Sequence, residues 1–280
     1  MMKIYKKNID YYIMLSFEIN EMNIPFTGQI VVKEDDEVTR EVILGRAKKI
    51  HEWLVLVDHI FSPFRTNSEL TLYNHRKIEM TGTNLLFQEV FALSIWAKEM
   101  TQGLFSANFV GKYNPTGAVK GWAIEKAERI QLAPLLSDPN FVAVNLNGGG
   151  DMQFSSSDKH NWQWGIGIVN PFDNKKVISC FRMKNGAIAT SGTSQRGEHL
   201  FNSSTGRAIP EKNFNVISSS VIGSELTYSD IWATAIATTT INDHNWLKRL
   251  SGSGLRISYN KKSERWLNHE IIDQKELIYA

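Results

Sequence analysis

At 280 residues the chain is long enough to bury a sizeable core as one large domain or two small ones, and it needs no staple of the kind tiny folds require. Lys plus Arg at 31 against Asp plus Glu at 29 leave a formal charge of +2, which excludes the strongly basic field of a general nucleic-acid binder, so any anionic ligand must be held by local geometry. With 42% hydrophobic and 21% charged residues the chain is neither disordered nor fibrous, and a single cysteine, Cys180, excludes an internal disulfide and a cysteine-based zinc site and fits a reducing, cytoplasmic compartment.

Lys3, Lys6 and Lys7 precede an apolar run from Tyr11 to Phe17, but the run is short, follows Asp10 and leads to no small-residue cleavage site or lipid-acceptor cysteine. It reads as a strand. A turn at Asn23-Ile24-Pro25 and an alternating strand from Phe26 to Val32 complete a hairpin. From Thr39 to Phe61, Val42, Ile43, Ala47, Ile50, Leu54 and Val57 recur at helical spacing, and Asn84 to Gln102 repeat the pattern with Gly103 as the stop. Asn114 to Gly121 form a turn-rich loop that feeds a helix from Trp122 to Leu132. The strand Phe141 to Leu146 runs into Asn147-Gly148-Gly149-Gly150-Asp151. Trp164 to Ile168, Val177 to Met183 and Ala187 to Ala189 read as antiparallel strands, Asp230 to Thr240 as a helix, and the end of the chain as a basic hairpin around Ser251 to Gly254. No run of 18 apolar residues occurs, so no membrane insertion is expected. The mixture predicts an α+β fold, and the absence of a repeat or linker makes residues 1–280 a single unit.

Three glycine-bearing loops, Pro115 to Gly121, Asn147 to Asp151 and Thr190 to Gly192, offer backbone N–H groups that can approach a phosphate, and Lys120 adds a point charge to the first. Neither a Walker motif nor G-x-G-x-x-G is present. Asp230 and Thr234, four residues apart at a helix start, share one face; they read either as two oxygen ligands for Mg²⁺ or as a cap and a back-bonded hydroxyl. Of seven histidines, His199 sits between turns, where it could move a proton at neutral pH.

The order of these pieces is more specific than any one of them. Phe61-Ser62 with Asn67-Ser68-Glu69-Leu70 and Leu72-Tyr73-Asn74 come first, then Pro115 to Ala123, Asn147 to Asp151, Trp164 to Pro171, Ala189 to Gly192, His199 with Thr205-Gly206, and Asp230 to Thr234. Over about residues 11–240 the chain resembles the ApbE family of FAD:protein FMN transferases, once described as thiamine-biosynthesis lipoproteins. The basic segment from about 246 to 280 lies beyond that resemblance.

The resemblance implies an α+β fold of antiparallel sheets flanked by helices, with the site in a cleft between two lobes. It implies an enzyme that uses Mg²⁺ to split FAD and transfers FMN to a threonine hydroxyl of an acceptor flavoprotein, releasing AMP, with no nucleic-acid partner. Lys120 and the Thr116–Gly121 loop would hold FAD, Gly117 would lend a carbonyl to the metal, and Asp230 and Thr234 would supply side-chain ligands. Asn147, Gly149, Gly150 and Asp151 would shape the flavin pocket, and Thr190, Ser191, Gly192, Thr205 and Gly206 would line the site as turns. His199 would lie beside the reacting phosphate; His199 and Asp230 both remain candidates for general base. Asp230 is expected to be an exposed site carboxylate. The chain departs from the family pattern at Met22 to Gly28, where Met-Gly-Thr is usual, and at Thr193, Ser203 and Trp232. An FAD pyrophosphatase, a non-catalytic flavin-binding module and an interaction protein without chemistry stay open as alternatives.

Overall fold

The computed structural model describes residues 2–109, 111–192 and 216–276. Among these residues, ten antiparallel strands form one continuous sheet in the order β1-β2-β3-β6-β7-β10-β11-β12-β13-β14. They are β1 (Tyr5–Ile9), β2 (Tyr12–Glu21), β3 (Ile24–Val32), β6 (Phe141–Gly148), β7 (Asp151–Ser156), β10 (Gly186–Gly192), β11 (Val216–Gly223), β12 (Ser253–Ser258), β13 (Lys262–Leu267) and β14 (Glu270–Glu276). Two small ribbons stand apart, β4 (Asn108–Phe109) with β5 (Lys112–Tyr113), and β8 (Trp164–Asn170) with β9 (Asp173–Met183).

Period-two alternation places Leu15, Phe17 and Ile19 of β2 on the face that the helices cover. Helix α1 (Glu37–Phe61) starts at Asp36, whose carboxylate accepts from the Thr39 N–H at 2.7 Å, and buries Ile43, Ala47, Ile50, Leu54 and Val57 along one stripe. The short α2 (Glu69–Asn74) and α3 (Leu85–Met100) continue this layer, with Phe61 stacked on Phe87 at 5.8 Å. On the opposite sheet face, Trp164, Ile166 and Ile168 of β8 pack with Val31, Phe154, Ile188, Leu255 and Ile257. The order is therefore helices, sheet, ribbon, and it bears out the α+β reading with antiparallel sheets flanked by helices.

Four local expectations are corrected. Residues 114–121 are not a loop: α4 runs Thr116–Ala127 and continues into a π-helical turn, Glu128–Leu132. Gly117 and Gly121 look like turn formers but lie four residues apart, on one helix face, and at Gly121 a neighbouring helix packs where a side chain would be. The last long helix, α5 (Leu226–Ala237), begins four residues before Asp230. The Thr190–Gly192 segment is extended strand rather than turn, closing the end of β10 against Ser218, Ser219 and Ser220 of β11. Finally, the chain ends in a three-stranded meander, β12 to β14, not a hairpin about Ser251–Gly254. Its basic character is only partly a surface feature: Arg256 is fully buried, ion-paired to Glu264 and donating to the carbonyls of Thr240, Ile241 and Asp243. The edge strand β1 was not anticipated, because Tyr5-Lys6-Lys7-Asn8-Ile9 carries no apolar alternation. No helix among the described residues is long and apolar enough to cross a membrane.

Candidate active site

The site lies where α4 and α5 cross the sheet at β7 and β10. The two helices run antiparallel, and their contacts are spaced one turn apart. A Cβ placed on Gly121 would lie 2.7 Å from the Asp230 Cβ and 3.0 Å from the Leu226 carbonyl oxygen, so only glycine lets the helices come this close. At that approach the Gly121 N–H donates to Asp230 Oδ2 at 2.9 Å. One turn earlier a Cβ on Gly117 would lie 3.7 Å from the Thr234 methyl, which places the Gly117 backbone beside Thr234. Gly117, Gly121, Asp230 and Thr234, picked from the sequence as metal and nucleotide residues, thus meet on one helix seam. The Trp122 indole N–H and the Lys126 ammonium both donate to Glu89 of α3, pinning the back of α4.

Asp230 is 1% exposed and one turn inside its helix, so it is neither the exposed carboxylate nor the helix cap that the sequence allowed. Its carboxylate accepts instead from the neighbouring helix. Thr234 does not simply bond back into its own turn: its hydroxyl lies 3.0 Å from that of Ser191 on β10. Both are hard oxygens on one helix face, and such ligands suit a small hard cation that keeps several waters and takes further oxygens from a phosphate. No group of three or more His, Cys, Asp or Glu side chains is gathered for a metal among the described residues.

Lys120 departs from its expected place as a free charge beside a phosphate loop. It is 5% exposed on α4 and ion-paired with Oδ2 of the fully buried Asp151. The other Asp151 oxygen accepts from the Thr190 N–H at 2.9 Å, and the Thr190 hydroxyl meets that of Ser220 at 2.8 Å. One chain of contacts therefore links α4, β7, β10 and β11. The Asn147–Asp151 motif is the two-residue hairpin turn from β6 to β7, with φ of +61° at Gly149 and +97° at Gly150 and the Asn147 side chain accepting from the Gly150 N–H at 3.1 Å. That geometry accounts for both glycines without a ligand, while Asp151, just past the turn, reaches the site. The Gly149 N–H donates to the Pro25 carbonyl at 3.3 Å, next to a 440 Å³ cleft lined by Ile24, Pro25, Asp58, Ser62, Phe64 and Arg65. Thr116 is the first residue of α4, its N–H capped by Asn114. Trp232 faces away from Asp230 and Thr234 and is fully buried in the core, so it does not narrow the site. His199, Thr205 and Gly206, with Thr193 and Ser203, lie outside the described residues.

The sequence reading missed three residues that shape this region. Glu125 of α4 and Gln153 of β7 bond to the start of α5, and Glu128 is fully buried in the π-helical turn behind α4. No well-directed hydrogen bond reaches either Glu128 oxygen among the described residues, although Ser155 lies close; burial pushes its carboxyl up from 4.5 to about 7, against smaller opposing effects of Ser155 and Arg129. The folded state therefore holds the Glu128 proton more tightly than the unfolded chain does. Stability is highest below pH 4.5 for this group and is lost as pH rises to about 7. A shift of this size corresponds to roughly 3 kcal/mol, and Glu128→Gln should abolish that slope in urea-unfolding free energies measured from pH 5 to pH 8. Parallel pH profiles for the two proteins would show that Glu128 is not the group responsible.

Residues 112–254, just over half of the chain, match the family model described as ApbE family. Similar solved structures are an ApbE protein from Thermotoga maritima (TM-score 0.71, 19% identity, covering 94% of this chain and 97% of that one) and flavin transferase ApbE from Vibrio cholerae (0.68, 15%, 91% and 97%). The apo form of flavinyl transferase ApbE from Pseudomonas stutzeri is similar as well (0.68, 12%, 93% and 97%). No curated protein matches the sequence.

Proposed function

Because the chain belongs to the ApbE family, we propose that it is a Mg²⁺-dependent flavin transferase, with residues 1–280 acting as one domain that moves FMN from FAD to a threonine hydroxyl of an acceptor flavoprotein. In that reaction the threonine oxygen forms a bond to the FMN phosphorus, the bond from that phosphorus to the oxygen of AMP breaks, and the threonine proton is lost. The observation that carries the reading is the meeting of Gly117, Gly121, Asp230, Thr234 and Ser191 on one seam, with the Lys120–Asp151 pair beside it.

Phosphoryl-type transfer needs positioning and charge neutralisation more than covalent help from the protein, and these residues offer both. Asp230 and Thr234, with the Gly117 carbonyl, would hold Mg²⁺, which when bound neutralises charge on the pyrophosphate. The start of α4 presents the positive end of a helix dipole to an anion, and the Lys120–Asp151 pair fixes α4 on the sheet beneath it. Gly149, Gly150 and the adjoining cleft offer room for the rest of the nucleotide. His199 and Asp230 are the two candidates for taking the threonine proton. A cytoplasmic setting belongs to the same reading, supported by the lone, exposed Cys180.

The test is to incubate the protein with FAD, Mg²⁺ and a flavin-acceptor domain and to follow the acceptor by mass spectrometry. The expected result is FMN attached to a threonine, with AMP in solution. Free FMN and AMP without labelled acceptor would make the protein an FAD pyrophosphatase, and bound, intact FAD would make it a flavin-binding module.

A further inference from the structure

We infer that Glu125 is a positioning residue for the reaction: it caps, from the neighbouring helix, the N-terminus of the helix that carries Asp230 and Thr234. The first N–H groups of a helix have no partner inside it and are ordinarily met by the side chain of the cap residue. In α5 the cap residue is Glu225, and its side chain makes no such bond. Its place is taken from outside. Glu125 Oε2 accepts from both the backbone N–H and the hydroxyl of Thr227, at 2.8 and 2.7 Å, and Gln153 Oε1 of β7 accepts from the Leu226 N–H at 2.9 Å. Glu125 is 8% exposed, so these are buried, charge-assisted bonds rather than surface pairs. Arg129 holds the arrangement from the solvent side, 3.0 Å from both Glu125 Oε1 and Glu225 Oε1.

The consequence is geometric. Glu125 stands one turn beyond Gly121 on α4, and Thr227 stands three residues before Asp230 on α5. The Glu125–Thr227 bonds therefore fix the rotation and height of α5 next to the close Gly121–Asp230 contact. A cap supplied by α5 itself would stabilise the helix equally but would leave it free to slide along α4. A cap supplied by α4 ties helix formation to the register that brings Asp230 and Thr234 beside Gly117. Groups that orient ligand-bearing side chains in this way typically change metal affinity by about 10–100-fold when removed.

This inference rests on the reading of Asp230 and Thr234 as metal donors, and the experiment separates the two. Mg²⁺ is titrated into wild type, Glu125→Ala and Glu125→Gln in the presence of FAD, following the rise in melting temperature and the change in flavin fluorescence as well as AMP release. If wild type shows no Mg²⁺ response in any readout, the metal reading fails. If wild type responds, Glu125→Ala should raise the half-saturating Mg²⁺ concentration about tenfold or more, with AMP release recovering at high Mg²⁺. Glu125→Gln, whose amide oxygen still accepts from Thr227, should recover much of that loss. A lowered melting temperature with wild-type Mg²⁺ half-saturation would make Glu125 a structural cap only and overturn the inference. Should Glu125→Ala fail to fold, Thr227→Ala decides alone, because it removes the hydroxyl that donates to Glu125 and leaves Asp230 and Thr234 in place: a raised half-saturation supports positioning, and an unchanged one refutes it.

Discussion

Asp230→Asn should fold as wild type does and lose Mg²⁺-dependent turnover of FAD by about a hundredfold or more, a difference of roughly 3 kcal/mol in transition-state stabilisation. The carboxylate is 1% exposed and accepts from the Gly121 N–H, so the usual truncation to alanine confounds two effects. Alanine removes the charge that a cation would need and also orphans a buried backbone donor, which costs about 1–3 kcal/mol of stability. Asparagine keeps an oxygen of nearly the same shape in front of that N–H and removes only the charge. Measured side by side, the two variants should share the loss of turnover but differ in unfolding free energy. Full Mg²⁺-dependent activity in Asp230→Asn would exclude Asp230 as a metal ligand, whatever happened to stability.

The contrast between Asp230 and its surroundings shows what the linear sequence could carry. The spacing of Ile43, Ala47, Ile50, Leu54 and Val57 was readable as a helix because one repeating environment, the sheet face, acts on every turn of α1. The chemical types of the site were also readable, since Gly, Lys, Asp, Thr and Ser in that order suggest oxygen donors and phosphate contacts before any contact is known. The pairings were not. Gly117 and Gly121 cost helix propensity, about 1 kcal/mol each, and read as a loop when taken locally; at Gly121 that cost accompanies the packing of α5 where its side chain would be, while a Cβ on Gly117 would crowd Phe105. The cap of α5 was invisible for the same reason, since Glu125 lies 102 residues before Thr227. Sequence rules for helix starts assume a local cap, and here the local residue, Glu225, makes none. Asp151 looked like part of a glycine turn, and half of that was right: Gly149 and Gly150 make the turn, while the carboxylate reaches Lys120 and Thr190 instead of closing it.

Lys120→Met should destabilise the protein by about 3–5 kcal/mol, because it leaves the Asp151 carboxylate buried without its cation. The pair is nearly sealed, with the lysine side chain 6% and the aspartate side chain 1% exposed, so water cannot take over the lost interaction. The double variant Lys120→Met with Asp151→Asn should regain most of that stability, since asparagine can still accept from the Thr190 N–H and no uncompensated charge remains. A coupling free energy of a kcal/mol or more in this cycle is the expected signature of a buried contact pair. Urea unfolding of the four proteins measures it; a cost below about 1 kcal/mol for Lys120→Met would mean that the pair is solvated. The same four proteins bear on function. If Lys120 serves only to neutralise Asp151, the restored double variant should transfer FMN like wild type. If Lys120 also exchanges Asp151 for a phosphate oxygen of FAD, the double variant should be stable and yet bind FAD more weakly. Flavin fluorescence at saturating Mg²⁺ distinguishes the two, and the burial of both partners favours the first: exchange would strand Asp151 in a site from which the described structure excludes water.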